Sequence, residues 1–479
     1  MMKIDILFIK NYVILTIFLF LLGIIIPFSL NKELGNYSYD IYGAVVAIMF
    51  IVIIIMLRLY EFYVSITLVM SVYIDWYLGL FITALMMALV LLFFFYVALP
   101  LKERRIKPAM LFLWLLFLAI TILPAIRGAT DRYNTLYYYP DLIFGAFIMF
   151  WLGNVIAKDV SSMRRFFQML SMVGFLIALH IIIQVVTGKF LFLTAQVQSF
   201  LASVSDYSLE GATGSGVTRM ASFFIQPDAG SAFLAMIFFI SLGLLMEEPS
   251  IIVKLTYLLQ SFAILIALLY TYSSAAWIAS IAGLCVYIIL AGSMKDRFIL
   301  IGSAILFFAI LFALFQKELM LLLEHTTTPA ELLLRQGLWE TGWRVMEAFP
   351  LTGVGLSRVT YFQVADVYRV PAAFINENNP HNSYLEIGAM AGIPVLLIFL
   401  ALLSSSLWLA LKCWCKASKR GRSLLGAGIA SVIVLCINSW SFGIWTFPPI
   451  AAFGWIILGV ICSPLLVRAL ATKRQKENS

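Results

Sequence analysis

Stretches of about 20 consecutive apolar residues recur along this chain, separated by short polar or basic turns, and that pattern admits few folds. Backbone N–H and C=O groups have no water to bond in a bilayer, so each run has to satisfy them internally as a helix. The runs fall near residues 11–28, 41–57, 62–76, 80–99, 108–126, 141–157, 166–186, 228–246, 254–272, 274–292, 298–316, 384–411, 423–442 and 447–468. They are continuous rather than alternating, which excludes a β-barrel. With 63% hydrophobic and 12% charged residues, there is too much apolar sequence for a soluble core. The expected class is an all-α polytopic membrane protein of about 12–14 transmembrane helices, with a large external loop containing short helices. The run at 62–76 is short enough to be re-entrant.

The net charge of +8 reports topology rather than a partner. Basic residues cluster in short turns: Lys102, Arg104, Arg105 and Lys107; Arg164 and Arg165; Lys412, Lys416, Lys419, Arg420 and Arg422; Lys473, Arg474 and Lys476. This is the positive-inside pattern, not a nucleic-acid surface, and it places both termini in the cytoplasm. No small-residue cleavage site follows residues 12–28, so that run is read as a retained span. The cysteines Cys285, Cys413, Cys415, Cys436 and Cys462 fall in spans or a basic turn, and they form neither a disulfide framework nor a metal-site spacing.

Two connections stand out by length, residues 187–227 and 317–383. Loops of that size carry function or helices of their own. The chain divides into an N-terminal transmembrane bundle (1–186), a region holding both loops (187–411), and a C-terminal hairpin with a cytoplasmic tail (412–479). There is no phosphate-binding P-loop. Gly353-Val354-Gly355 does not open a strand–turn–helix unit and so is not a dinucleotide fingerprint.

The second loop ends in Asn379-Pro380-His381-Asn382-Ser383-Tyr384-Leu385-Glu386, running to Gly388 and Gly392. Ser383 and Glu386 have the spacing of a capping box, with Ser383 as N-cap. Gly388 and Gly392 form a small-xxx-small pair that permits close helix contact. His381 stands just outside the first turn, where the positive helix end favours bound anions and a neutral imidazole. Two readings stay open on these residues: a general base, or an ordinary interfacial histidine beside a cap. Upstream, residues 331–349 have helical periodicity. Leu334, Leu338, Trp339, Gly342, Met346 and Phe349 lie on one face, and Glu340, Arg344 and Glu347 on the other. Arg335 falls on the apolar face. That is costly unless it binds an anion, snorkels or pairs with Glu331.

Arg335, Arg344, Arg358 and Arg369 give this loop a bidentate phosphate-binding chemistry that lysine lacks. Tyr361, Phe362, Tyr368 and Phe374 read either as sugar-stacking or as interface-belt aromatics. In the first loop, the flexible Gly211–Gly216 stretch leads to Arg219, Phe223, Phe224, Pro227 and Asp228, with Asp228 as a candidate N-cap of the next span. Arg219 serves either as a positional anchor or as a second cation near the level of His381. His180 lies inside a span and reads as a core histidine; His325 has no supporting pattern.

These segments resemble the O-antigen ligase and O-antigen polymerase superfamily of bacterial membrane glycosyltransferases. Pro380-His381-Asn382-Ser383-Tyr384-Leu385-Glu386 is similar to the family's His-Asn-Ser-Tyr-Leu helix start. Arg335 with Trp339, followed by Pro350-Leu351-Thr352-Gly353-Val354-Gly355, is similar to its Arg, Trp and Pro-Leu-x-Gly-x-Gly run. Arg219, Phe223, Phe224 and Pro227 are similar to an Arg…Phe…Pro-Asn segment, with Asp228 in place of asparagine. The likeness covers roughly residues 215–400. One departure is clear: in Thr271-Tyr272-Ser273-Ser274, Ser274 stands where the family often has arginine, and this tilts the reading from ligase toward polymerase.

The resemblance implies a metal-independent, inverting transfer of glycan from an undecaprenyl-pyrophosphate donor, without cofactor, at the external face of a bacterial inner membrane. The acceptor is a glycan or glycolipid, and membrane lipids surround the protein. His381 is the expected base. Arg335 and Arg219 are the expected pyrophosphate ligands, supported by Asn382, Tyr384, Glu386 and Trp339. The residues agree in having no acidic cluster suited to a metal. A surface-polysaccharide polymerase is the first expectation and a ligase acting on lipid A core the second. A lipid-linked oligosaccharide flippase is the rival from another class; it would need charges at mid-membrane, whereas Asp75 and Asp141 lie near span ends. A non-catalytic partner of an export machine is the third reading.

Overall fold

The computed structural model describes residues 107–128, 143–187, 219–220, 222–224, 226–291, 293–327, 329–370 and 379–478. The runs expected before residue 100, the Gly211–Gly216 stretch, Asp75, Asp141 and Phe374 lie outside the described residues.

The described chain is helical throughout. The helices are α1 (Leu111–Arg127), α2 (Gly145–Ile156), α3 (Val160–Thr187), α4 (Pro227–Glu247), α5 (Ile251–Tyr270), α6 (Ser274–Leu290), α7 (Met294–Leu314), α8 (Gln316–Thr327), α9 (Pro329–Ala348), α10 (Arg358–Tyr368), α11 (Ser383–Ala391), α12 (Ile393–Lys416), α13 (Lys419–Asn438), α14 (Pro448–Ile461) and α15 (Pro464–Asn478). Among the described residues, seven segments are long and apolar enough to cross a membrane: Val160–Val186, Pro227–Glu247, Ile251–Tyr270, Met294–Leu314, Ile393–Lys416, Lys419–Asn438 and Ile450–Thr472. The shorter apolar helices α1, α2 and α6 stand beside them. The protein is a multi-pass membrane protein.

Helix α4 forms the centre of the bundle, packed against α3, α5, α6 and α13. It carries Phe233, Phe239 and Ile240 fully buried, whereas α7 shows Phe298, Ile305 and Leu306 on the outside. Close approach comes from small residues rather than from apolar burial, because lipid tails are as apolar as leucine. A Cβ on Gly153 of α2 would lie 2.3 Å from the carbonyl oxygen of Ile456, and one on Gly459 would lie 2.2 Å from that of Phe150. The Ser431 hydroxyl donates to the Met236 carbonyl at 2.7 Å, joining α13 to α4.

Three expected spans end differently. The run at 384–411 breaks at Gly392, whose φ of +92° ends α11 and starts α12. A side chain there would also meet the Leu351 carbonyl oxygen at 2.5 Å. The run at 423–442 stops at Asn438, and residues 439–447 leave the helix as an irregular turn. The run at 447–468 breaks at Ser463 before Pro464, where the hydroxyl donates to the Asn154 carbonyl at 2.6 Å. The long second loop contains α8, α9 and α10, as its length led one to expect.

Helix α4 also gives a scale for the bundle. Asp228 and Glu247 stand at its two ends, about 28 Å apart at 1.5 Å per residue, close to the thickness of a hydrocarbon core. The elements that meet at the Asp228 end are the starts of α6 and α11, the loop helix α9 and the 439–447 turn.

Candidate active site

Helix α11 starts on Asn382, not Ser383. The Asn382 Oδ1 accepts from the N–H groups of Tyr384 at 2.9 Å and Leu385 at 3.1 Å, the work of an N-cap. The expected capping box is therefore corrected, because its two members are engaged elsewhere. The Ser383 hydroxyl accepts from the Trp445 N–H at 2.9 Å and donates to the Phe442 carbonyl at 3.3 Å. Its N–H donates to the Ser439 carbonyl at 2.9 Å. Glu386 is fully buried, accepts from the Arg358 Nε at 2.9 Å and from the Thr446 hydroxyl, and does not reach back to the cap. The Tyr384 hydroxyl donates to the Cys436 carbonyl at 2.7 Å, one of the open acceptors at the end of α13. Through Ser383, Tyr384 and Glu386, the helix start is pinned to the 439–447 turn and to the residues just before it.

The other end of α11 is held by the Pro350–Gly355 run. The N–H groups of Val354 and Gly355 donate to the carbonyls of Ala389 and Met390, each at 2.9 Å, and Ile393 donates to Pro350 at 2.8 Å. Gly353 makes this approach possible. Its φ is +60°, and a Cβ would lie 2.3 Å from the Met390 carbonyl carbon. The glycine run is a cap for the helix that follows the histidine. Of the expected small-xxx-small pair, Gly388 does face another helix, 2.4 Å from the Met346 sulfur if a Cβ were added. Gly392 is instead the break between helices.

His381 precedes the cap in a left-handed conformation, φ +49°. Its N–H donates to the Asn379 Oδ1 at 2.8 Å, and its ring meets Phe442 edge-on with centroids 5.8 Å apart. Ser222 and Tyr272, nearby on the site's second wall, share the left-handed backbone at φ +56° and +50°. Such a conformation costs a non-glycine residue about 1–3 kcal/mol and persists only where surrounding contacts over-determine it.

Helix α9 follows the amphipathic pattern read from the sequence. Leu338 and Met346 are buried, while Glu340 and Arg344 pair with each other in solvent. Gly342 lets α9 cross close to Pro380 and Leu385. This crossing brings Arg335 to the 439–447 turn, where its guanidinium donates to the Ser441 hydroxyl. Arg344 pairs with Glu340, Arg358 with Glu386, and Arg369 with Asp366 at 2.6 Å. Tyr361 is buried and is not a sugar platform. Burial, followed by the field of Glu386, pushes its phenol above the ordinary range.

Arg219 forms the second wall. Its Nε donates to the Thr271 carbonyl at 2.9 Å and its Nη2 to the Asp228 Oδ1 at 3.0 Å. Asp228 also accepts from the Ser273 hydroxyl at 2.8 Å. Asp228 is therefore not an N-cap. Helix α4 opens on Pro227 with Gln226 at the cap position, and the carboxylate turns to the arginine instead. Asp228 lies within the fields of Arg335 and His381 as well. So one of the three residues picked out in sequence pairs with this carboxylate, and the charges of the other two reach it. Through Thr271, Arg219 is held three residues before Ser274. His180 is buried in α3 with its Nδ1 2.7 Å from the Ser222 hydroxyl, a satisfied core histidine that steadies the Arg219 segment.

Several groups were not legible. Ser441, Phe442 and Thr446 come from a turn that reads as the join between two apolar runs; its only signal is Ser439-Trp440-Ser441-Phe442-Gly443-Ile444-Trp445-Thr446, dense in hydroxyls and aromatics. Ser273 and Arg358 gain meaning only from distant partners. Burial pushes the Tyr272 phenol up to about 12, with Glu318 adding to it, so Tyr272 is a neutral donor rather than a base. Trp339 Nε1 and Gln226 Oε1 are buried without a hydrogen-bond partner among the described residues.

Residues 259–400 match the family model described as O-Antigen ligase. The interval contains Ser273, Arg335, Trp339 and the whole of α11 with His381, but not Arg219. No curated protein matches the chain. The match supports a likeness to the O-antigen ligase superfamily of membrane glycosyltransferases over this part of the chain.

Proposed function

We propose that the protein transfers a glycan from an undecaprenyl-pyrophosphate donor to a hydroxyl of an acceptor glycan, acting as a surface-polysaccharide polymerase. The observation that carries this reading is that Arg335 and His381 contact adjacent residues, Ser441 and Phe442, of one turn, within whose electrostatic reach lies the Arg219–Asp228 pair at the start of α4. In the proposed step the acceptor hydroxyl oxygen attacks the anomeric carbon of the donor, its proton passing to neutral His381. The bond from that carbon to the pyrophosphate oxygen breaks, the electron pair leaves with the lipid pyrophosphate, and the anomeric configuration inverts. Arg335, reached by a bidentate fork, and Arg219 offset the charge that develops on the leaving group. A general base and a charge-stabilising arginine are each worth about 3–5 kcal/mol in such a site. No metal or cofactor is required.

The supporting residues act through position. Asn382 fixes the helix start next to His381, Tyr384 and Glu386 lock that helix to the 439–447 turn, and the Trp339 indole N–H is a spare donor for a sugar or phosphate oxygen. The reading puts this end of the bundle outside the cell. The basic clusters around Arg164, Lys419 and Arg420 gather at the opposite end and belong in the cytoplasm. Ser274 in place of an arginine favours the polymerase. The description of the matching family favours a second reading, a ligase that hands finished polysaccharide to lipid A core or another acceptor.

The deciding experiment is incubation of the purified protein with lipid-linked repeat units. Lengthened lipid-linked glycan is the expected product. Transfer only to an added lipid A core acceptor would favour the ligase, and absence of any covalent product would overturn the enzymatic reading.

A further inference from the structure

Asp228 pairs with one arginine of the proposed mechanism and lies within the fields of Arg335 and His381. It is held by Arg219 from the segment before α4, at 3.0 Å, and by Ser273 at the start of α6, at 2.8 Å. Arg335 from α9 and His381 from the turn before α11 contact the neighbouring residues Ser441 and Phe442, and the fields of both reach Asp228. A carboxylate among pyrophosphate-binding arginines is a puzzle, because it repels the ligand that they attract. Its placement suggests what it does. The Arg219 Nε and one Nη2 hydrogen are committed to Thr271 and Asp228, which fixes the plane of the guanidinium; among the described residues no acceptor is given to Nη1.

We infer that Asp228 is a positioning residue for glycan transfer: a built-in counter-anion that holds the Arg219 fork against the start of α6 and offsets the charge that His381 acquires when it takes the acceptor's proton. The inference rests on the transfer reading above. In the step itself, the imidazole turns from neutral to cationic as the acceptor hydroxyl loses its proton, while negative charge leaves on the pyrophosphate. An anion that stays in place stabilises the imidazolium through both events, and it does so without touching either substrate.

The test is the pH profile of kcat/KM for the purified protein with lipid-linked repeat units. A neighbouring carboxylate favours the protonated imidazole. Removing it makes His381 lose its proton at lower pH, and because the base works when neutral, the rising limb moves toward acid. For Asp228→Asn the expected shift is about one pH unit downward, with the plateau rate reduced about tenfold as the base weakens. Asp228→Glu, which keeps the charge, should hold the limb within a few tenths of a unit of its original position. A limb that stays put in Asp228→Asn while the rate falls would overturn the inference and leave Asp228 a structural group. Asp228→Ser, smaller but still able to accept from Arg219, carries the same test. Failure of both neutral variants to accumulate in membranes, when Asp228→Glu does, would also overturn it. His381→Ala separates this from the mechanism it rests on: an active His381→Ala protein refutes the base itself, whatever Asp228 does.

Discussion

Helix α4 carries an arginine–carboxylate pair at each end, in very different company. At the Glu247 end, Arg164 bridges Glu247 and Glu248, Arg420 approaches Glu247 at 4.0 Å, and Lys419 meets Asp296 at 3.3 Å. Those charges come from helix starts and ends and are matched with one another. At the Asp228 end the pair is joined by a second arginine, a histidine and serine hydroxyls. Three backbone positions there, at Ser222, Tyr272 and His381, lie in the left-handed region. Matched charges at a membrane edge secure helix ends and orientation. A cluster of cations around one carboxylate, with strain in the backbone that holds it, is the arrangement expected of a site built for an anionic ligand. A count of ion pairs would not distinguish the two ends. The difference lies in what else each pair faces.

That contrast can be broken at either end. The largest effect is expected from His381→Ala, a fall in transfer of about 100-fold or more with the melting temperature in detergent unchanged. Arg164→Ala at the opposite end is expected to do the reverse, lowering the melting temperature and leaving the rate per folded molecule alone. Next comes Arg335→Lys, which keeps the charge and loses the fork; a loss of about 10- to 100-fold in kcat/KM is expected. Arg420→Lys should stay within about twofold, because a loosely paired surface charge asks little of the fork. Glu386→Gln removes the counter-charge of Arg358 from a buried site and should cost roughly 3 kcal/mol of stability, seen as a lower unfolding midpoint. Activity should fall with it as the helix start below His381 loosens. The smallest effect belongs to Tyr272→Phe. Its phenol stays protonated until about pH 12, so no limb of the profile between pH 5 and pH 9 should move.

The span pattern was legible because apolar length is a direct physical requirement of a bilayer. Where it misled, the cause was local. Gly392 sits within an unbroken apolar run, and hydropathy carries no information about a left-handed φ. The 439–447 turn was divided between its neighbours for the same reason. In the site, His381, Arg335 and Arg219 stood out in the sequence by residue type and neighbourhood. Their partners did not, since Arg335 meets Ser441 across 106 residues and Glu386 meets Thr446 across 60. The capping box failed because Asn382, one residue earlier, is as good a cap as serine. That left Ser383 for the turn and Glu386 for Arg358. Asp228 was misread likewise: proximity to a helix start suggested a cap, and only the fold placed an arginine beside it.

The most direct measurement is a structure determined with a non-hydrolysable polyprenyl-pyrophosphate glycan bound. Phosphate density within hydrogen-bond reach of the Arg335 guanidinium, with the sugar's anomeric carbon turned toward His381, is the expected result. Phosphate lodged at the other end of α4, among Lys419, Arg420 and Arg164, would contradict it.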